Sequence, residues 1–472
     1  MTVFYKPADG VAGDFIPFFW QGEYHLFFLK DYRDKANCGE GTPWFHLSTR
    51  DFVHFTDHGE ALPRGTRDEQ DLYVFTGSVF AHDGLFHIFY TGHNPHLRAA
   101  GKPEQAIMHA TSPDLFTWTK DPANPILFAD TVRYEPHDWR DPFIFWNEQT
   151  QEFWMLLAAR NTHGPKNRRG VTALAASTDL KRWEIRDPFW APSLYFTHEC
   201  PDLFRIGPWF YQVYSTFSER MVTHYRMSHS LAGPWRAPAN DTFDGRAFYA
   251  AKTASDGRRH FAFGWIPTRT DEKDTGSWNW GGALVVHELT QQVDGALTVS
   301  APPEVVAQFS RQLPLTPEPQ LGEWAVSGIN VQADTQGTFA WCRMGEMPDT
   351  CLIETTISLL PETRGCGLVL RADATLDAGY LLRLEPLRQR IVFERFPRPG
   401  DEPPIIERPV SLAAGQPATL RVLVEGSIIV AYINDQVALS TRGYEHTQGD
   451  FGLFVSEGAA SFAETELKAP LA

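Results

Sequence analysis

The chain has 472 residues, a hydrophobic fraction of 43% and a formal charge of −16. That length suggests about two domains, and that charge excludes nucleic acid and anionic membrane surfaces as natural partners. No apolar run approaches the roughly 18 residues of a membrane span. The start, MTVFYKPADG, shows no secretory signal, and five cysteines without a CxxC pair fit reduced thiols, so a cytoplasmic location is expected.

In chain order, five aromatic-rich segments read as strands: EYHLFFL (23–29), LFHIFYTG (85–92), EFWMLLAA (152–159), WFYQVYST (209–216) and RRHFAFGW (258–265). Each follows a polar turn, and before each turn lies another strand-like run (DFIPFFW, SVFAHD, DPFIFW, DLFRI, RAFYAAK), so each unit begins with a hairpin. After the second strand comes a Ser/Thr-x-Asp-type turn returning to an aromatic: HLSTRDFVHF, HATSPDLFTW, AASTDLKRW and, weaker, MSHSLAGPW. Four short strands per unit, repeated five times in residues 1–300, predict an all-β chain that opens with a five-bladed β-propeller. Residues 301–321 are Pro-rich, begin with a short helix and read as a linker; 322–472 alternate strand runs with turns and read as a β-sandwich.

The innermost strand of each blade lines the propeller axis, so residues at the same phase of different repeats meet at one mouth. Asp14, Asp141 and Glu199 open the first, third and fourth units in this way. Clustered carboxylates repel and raise at least one pKa, an unfavourable arrangement whose common purpose in sugar chemistry is a paired nucleophile and general acid. Arg140 precedes Asp141, and in a regular strand the two would face opposite sides unless the chain kinks there. Cys200, beside Glu199, reads as a packing residue. Trp20, Trp44, Phe75, Trp278 and Trp280 are candidates for sugar-facing walls. No P-loop, GxGxxG, HExxH or GxSxG motif and no metal-ligand cluster is present, so neither cofactor nor metal is expected.

These residues resemble glycoside hydrolase family 32, the invertase, levanase and inulinase family. Its Arg-Asp-Pro motif is matched by Arg140-Asp141-Pro142 and its Glu-Cys motif by Glu199-Cys200. Its aromatic-Ser-Gly-Ser element is similar to Phe75-Thr76-Gly77-Ser78, which puts Gly77 and Ser78 at the substrate, and the run from Trp44 to Phe55 is similar to a further family motif. The resemblance implies Asp14 as nucleophile, Glu199 as general acid/base and Asp141 as a stabiliser of sugar hydroxyls. It implies a retaining mechanism through a covalent fructosyl-enzyme, with the two carboxyls about 5–5.5 Å apart. Two departures stand out. The family's Trp-Met-Asn-Asp-Pro-Asn-Gly stretch corresponds to Ala8–Phe15, which makes Asp9 a rival nucleophile, and a family Gln is replaced by Leu29. The expected partner is a small sugar, with a homo-oligomer left open. An inverting arabinofuranoside-type hydrolase, a fructosyltransferase and a non-catalytic carbohydrate-binding propeller are the alternatives.

Overall fold

The computed structural model describes residues 2–413 and 415–471. Among these the chain is all-β, as the repeat predicted, and no described helix is long and apolar enough to cross a membrane. The first meander is β1 (Val11–Trp20), β2 (Glu23–Asp31), β3 (Trp44–Thr49) and β4 (Phe55–Leu62). The second is β5 (Tyr73–His82), β6 (Leu85–His93), β7 (Gln105–Ser112) and β8 (Thr119–Lys120); the third is β9 (Tyr134–Asn147), β10 (Glu152–Asn161), β11 (Gly170–Ser177) and β12 (Glu184–Ile185). The fourth has β13 (Glu199–Ile206), β14 (Trp209–Thr216) and β15 (Val222–Ser228), and the fifth has β16 (Tyr249–Ser255), β17 (His260–Arg269), β18 (Trp278–Gln291) and β19 (Leu297–Ser300).

The repeated turn is real at atomic detail. Thr49, Ser112 and Ser177 begin it, Asp51, Asp114 and Asp179 accept backbone N–H groups within it, and Phe52, Leu115 and Leu180 all take positive φ. In the fourth meander the outer strand shrinks to isolated bridges at Arg236 and Thr242. Pro234 and Pro238 remove two ladder donors there, which matches the weaker sequence signal.

The first strands of successive meanders pack side by side, β1 against β5, β5 against β9, β9 against β13, β13 against β16, and β16 returns to β1. β18 also bridges to β1 through Gly282 and Ala12. After a one-turn helix at Pro303–Val306, the remaining strands form two antiparallel sheets of eight and seven strands among the described residues, with one apolar cluster shared by their inner faces. The Pro-rich connector contributes to both: Arg311–Gln312 pairs with Lys468–Ala469, and Glu318–Leu321 pairs with Phe339–Glu346.

Asp244 ties the fifth meander to the eight-stranded of the two later sheets. It accepts from Ser440 N (2.9 Å) and Ser440 Oγ (2.6 Å), contacts His287 Nε2 at 3.0 Å, and lies 3.7 Å from Arg408. Burial opposes its charge, but the His287 bond and charge, Arg408 and Ser440 outweigh burial and hold the carboxyl below its usual range. A lowered acid stabilises the fold at neutral pH and loses that effect as pH falls through the folded value. Asp244→Ala should therefore cost about 3 kcal/mol at pH 7, because Arg408 keeps its bonds to Ala438 and Thr242 but is left buried without a carboxylate, and His287 Nε2 and Ser440 Oγ lose their acceptor. Denaturant melts check this, and the difference from wild type should shrink below about pH 4.

Candidate active site

Every first strand carries a bulge at the same end. Regular pairing breaks between Gly13 and Ile16, Phe75 and Gly77, Arg140 and Phe143, Glu199 and Asp202, and Tyr249 and Lys252. The first extra residue has positive φ in four of them: Asp14 (47°), Asp141 (60°), Cys200 (49°) and Ala250 (51°). Left-handed backbone at non-glycine residues costs about 1–3 kcal/mol and gathers at functional sites. The kink turns two consecutive side chains to one side, where a flat strand would present alternate ones. This is how Arg140 and Asp141 share a site.

The bulges also correct the sequence reading. Glu199 is not in phase with Asp14 and Asp141; it aligns with Gly13, Arg140 and Tyr249, one residue earlier. The acids therefore form two tiers, with Asp14 and Asp141 in one and Glu199 in the other. All three still line one cavity of about 570 Å³.

Asp14 accepts from Thr76 Oγ1 (2.5 Å) and from Trp265 Nε1 (2.9 Å), so the second and fifth meanders hold it. Burial, with the charges of Asp141 and Glu199, pushes its carboxyl up to about 7 against the lowering effect of those hydrogen bonds. Asp141 accepts from the Cys200 backbone N–H (2.9 Å), and its own N–H donates to Thr91 Oγ1 (2.7 Å). Burial raises the Asp141 pKa while Arg140 opposes the rise. Arg140 donates to Glu199 Oε1 (3.1 Å) and to Asp138 (2.8 Å), and its Nε lies 3.7 Å from Asp141. Tyr249 donates its hydroxyl proton to the other Glu199 oxygen. Burial keeps the Tyr249 hydroxyl and the Cys200 thiol protonated, both far above their usual values, so Cys200 is no nucleophile.

The walls sort the remaining candidates. Phe75 and Trp280 line the cavity with Arg140. Trp20, Trp44, Gly77, Ser78 and Trp278 do not, and each has a structural reason. Trp20 lies at the far end of β1, about 20 Å along an extended strand from Asp14, where it packs on Phe18 and Phe86. Trp44 is fully buried and braces Phe75 by donating to its carbonyl. A side chain at Gly77 would meet the Phe89 carbonyl, and Ser78 accepts from Ile144 N across to the third meander. Trp278 lies under two arginines. Asp9 is outside the cavity, 66% exposed and paired with Lys30 at 2.6 Å, whereas Leu29 and Asp31 are on its wall. Sequence reasoning missed Thr76, Tyr249, Trp265 and His93. The first two were reachable from the repeat phase. His93, stacked on Phe75 with ring centroids 4.5 Å apart, is held neutral by burial and Arg140, its pKa lowered to about 4.

Gly13 is small because Trp280 lies over it, a Cβ there reaching 2.5 Å from the indole. Gly13→Ala should push Trp280 into the cavity and cost up to about 100-fold in kcat/KM, the scale of a 1 Å misplacement. Steady-state kinetics on the variant, with Trp280→Phe as the relieving second change, would show it.

The sequence profile described as "Glycosyl hydrolases family 32 N-terminal domain" matches residues 14–300. The raffinose invertase of Escherichia coli is 25% identical, the match spanning 95% of this chain and 90% of that protein. The sucrose-6-phosphate hydrolase of Vibrio alginolyticus is 26% identical over 61% of this chain and 60% of its own length. Among solved structures, fructan 1-exohydrolase IIa from Cichorium intybus superposes with a TM-score of 0.75 at 17% identity, covering 99% of this chain and 96% of that one. The exo-inulinase from Aspergillus awamori gives 0.74 at 18%, covering 99% and 98%. With three carboxylates gathered around one cavity and the profile spanning most of the chain, the protein belongs to glycosyl hydrolase family 32 and is a glycoside hydrolase.

Proposed function

We propose that the protein releases fructose from a small fructofuranoside by a retaining mechanism. The convergence of Asp14, Glu199 and Asp141 on one cavity carries this reading. Asp14 attacks the anomeric carbon while Glu199 protonates the leaving oxygen; Glu199 then activates water to release the fructosyl group. Arg140 and Tyr249 fix both Glu199 oxygens, which aims the carboxyl before substrate arrives. Asp141, held by the Cys200 N–H, faces the sugar hydroxyls. Developing positive charge on the ring is stabilised by these carboxylates.

In this reading the five meanders are the blades of a propeller spanning 1–300, 301–321 is a linker that lends one short strand to each following sheet, and 322–472 supplies the rest of a two-sheet sandwich that braces the fifth blade. Four buried, unbridged cysteines support a reducing cytoplasm. Purified protein should release fructose from sucrose, kestose, levanbiose or inulobiose, with β-fructofuranose as the first anomer seen by NMR. Arabinose released instead from an arabinofuranoside control, or inversion, would overturn the reading.

A further inference from the structure

Lys252 is the first residue of β16 to pair regularly after the fifth bulge, opposite Phe263. It is 2% exposed, yet no carboxylate among the described residues forms an ion pair with it. Its ammonium donates to one acceptor, the Pro201 carbonyl at 2.9 Å, and lies 5.3 Å from the centroid of the Phe143 ring. A desolvated ammonium without a paired carboxylate is unfavourable. A methionine, of similar length, would fill the same space without that cost. The reason for a lysine here therefore lies in what its ammonium does at Pro201.

Pro201 lies within the fourth bulge, between Glu199 and Asp202, where the pairing of β13 with β14 lapses. A carbonyl in such a stretch loses its ladder donor, and a buried one needs another. Lys252 supplies it from the neighbouring meander. The next residue adds a second tie: the Thr253 N–H donates to Asp202, whose other oxygen accepts from the Leu203 N–H (2.7 Å). Both ties run from β16 to β13 and bracket the residues that face the cavity. Just before Pro201, the Cys200 N–H holds Asp141 (2.9 Å), and before that Glu199 reaches the cavity. Arg140 and Tyr249 fix the Glu199 oxygens, but they do not hold the backbone that carries them. The ammonium also favours ionised Asp141 and Asp202 against burial. We propose that Lys252 is a positioning residue for the general acid: by holding the Pro201 carbonyl it sets the fourth bulge, and with it the reach of Glu199 to the leaving oxygen. Lys252 acts from behind the cavity wall and touches no substrate. The inference rests on the reading of Glu199 as the general acid.

The test sets a leaving group that needs a proton against one that does not. Full-length wild type and Lys252→Met are compared on the fructosyl disaccharide that wild type hydrolyses best and on β-fructofuranosyl fluoride, with melts to confirm folding. On the disaccharide kcat/KM should fall about 100-fold, the scale of a 1 Å misplacement, with the loss in kcat and KM nearly unchanged. On the fluoride kcat/KM should stay within about fivefold of wild type, because departure of fluoride asks little of Glu199. Equal losses on the two substrates would make Lys252 a structural residue only, and undiminished turnover of the disaccharide would leave it no role; either result overturns the proposal. If Lys252→Met does not fold, Lys252→Gln, which keeps a shorter, uncharged donor, is read in the same way. If wild type hydrolyses neither substrate, the hydrolytic reading fails instead, and hydrogen exchange decides the tie. The Cys200 amide should then exchange about tenfold faster or more in Lys252→Met, and an unchanged rate would remove the tie.

Discussion

Asp14→Asn should leave a folded, sugar-binding protein whose turnover falls by about 10⁴-fold or more, and it should melt at a higher temperature than wild type at pH 8. The activity loss follows from removing the attacking oxygen. The stability gain follows from the raised Asp14 pKa, about 7 against an ordinary 3.8. As pH rises from about 4 to about 7, the unfolded chain ionises this group while the folded chain keeps its proton, so folding weakens across that window and is flat above it. Asparagine never ionises and escapes the loss. The full shift corresponds to about 4 kcal/mol, and we expect about 1–2 kcal/mol because the carboxyl still meets cavity water. The amide fits the site: its oxygen accepts from Trp265, whose N–H can only donate, and its NH₂ donates to the Thr76 hydroxyl, which can turn and accept. Melts of both proteins at pH 4 and pH 8 check this. A variant equal to wild type at both would mean that Asp14 has an ordinary pKa. The same group should set the acid limb of kcat/KM, and Asp141→Asn, by removing a neighbouring charge, should move that limb to lower pH.

Arg140→Met carries the second large effect. The guanidinium is 8% exposed and holds Asp138, Asp141 and Glu199 at once. Burial disfavours its charge, but Glu199, Asp141 and Asp138 more than restore it, so Arg140 stays a cation. Without it Asp141 and Glu199 face each other uncompensated, while Asp138 keeps Arg160 at 3.5 Å, and breaking such a buried ion pair costs about 3–5 kcal/mol. Protonation of Asp141, whose pKa burial raises, relieves the repulsion, so the deficit should be largest at high pH and shrink as pH falls. Turnover should fall with it, since Glu199 loses the partner that aims one of its two oxygens. Arg140→Lys should recover stability better than activity, because an ammonium cannot fork across both tiers. A pH-independent deficit would mean that the loss is packing of the side-chain stem alone.

The fold was legible because the repeat is written in turns as well as strands. Thr49-x-Asp51, Ser112-x-Asp114 and Ser177-x-Asp179 recur with the same hydrogen bonds, and a side chain that caps its own turn needs no distant partner to be recognised. Asp14, Asp141 and Arg140 were legible because their order and phase coincide with the repeat, and Glu199 because it lies within one residue of that phase. The walls were not. Whether an aromatic faces a cavity or a neighbouring sheet depends on where the strand end lies, which is why Trp20 and Trp44 misled while Phe75 and Trp280 did not. The one-residue phase slip of Glu199 was hidden for a related reason. A bulge changes the side that a residue faces without changing its type, and Cys200, the residue that takes the positive φ, carries no sequence mark of it.

Those bulges make the cavity wall modular. Each inner strand offers two adjacent seats: Gly13 and Asp14, Phe75 and Thr76, Arg140 and Asp141, Glu199 and Cys200, Tyr249 and Ala250. An occupant can be exchanged without redrawing the backbone, because the kink belongs to the strand and not to the residue riding on it. Ala250 is the small occupant on the fifth strand, already on the cavity wall. A longer side chain there would reach into the cavity from one direction only, which makes it the seat where a change of substrate size needs the fewest accompanying changes.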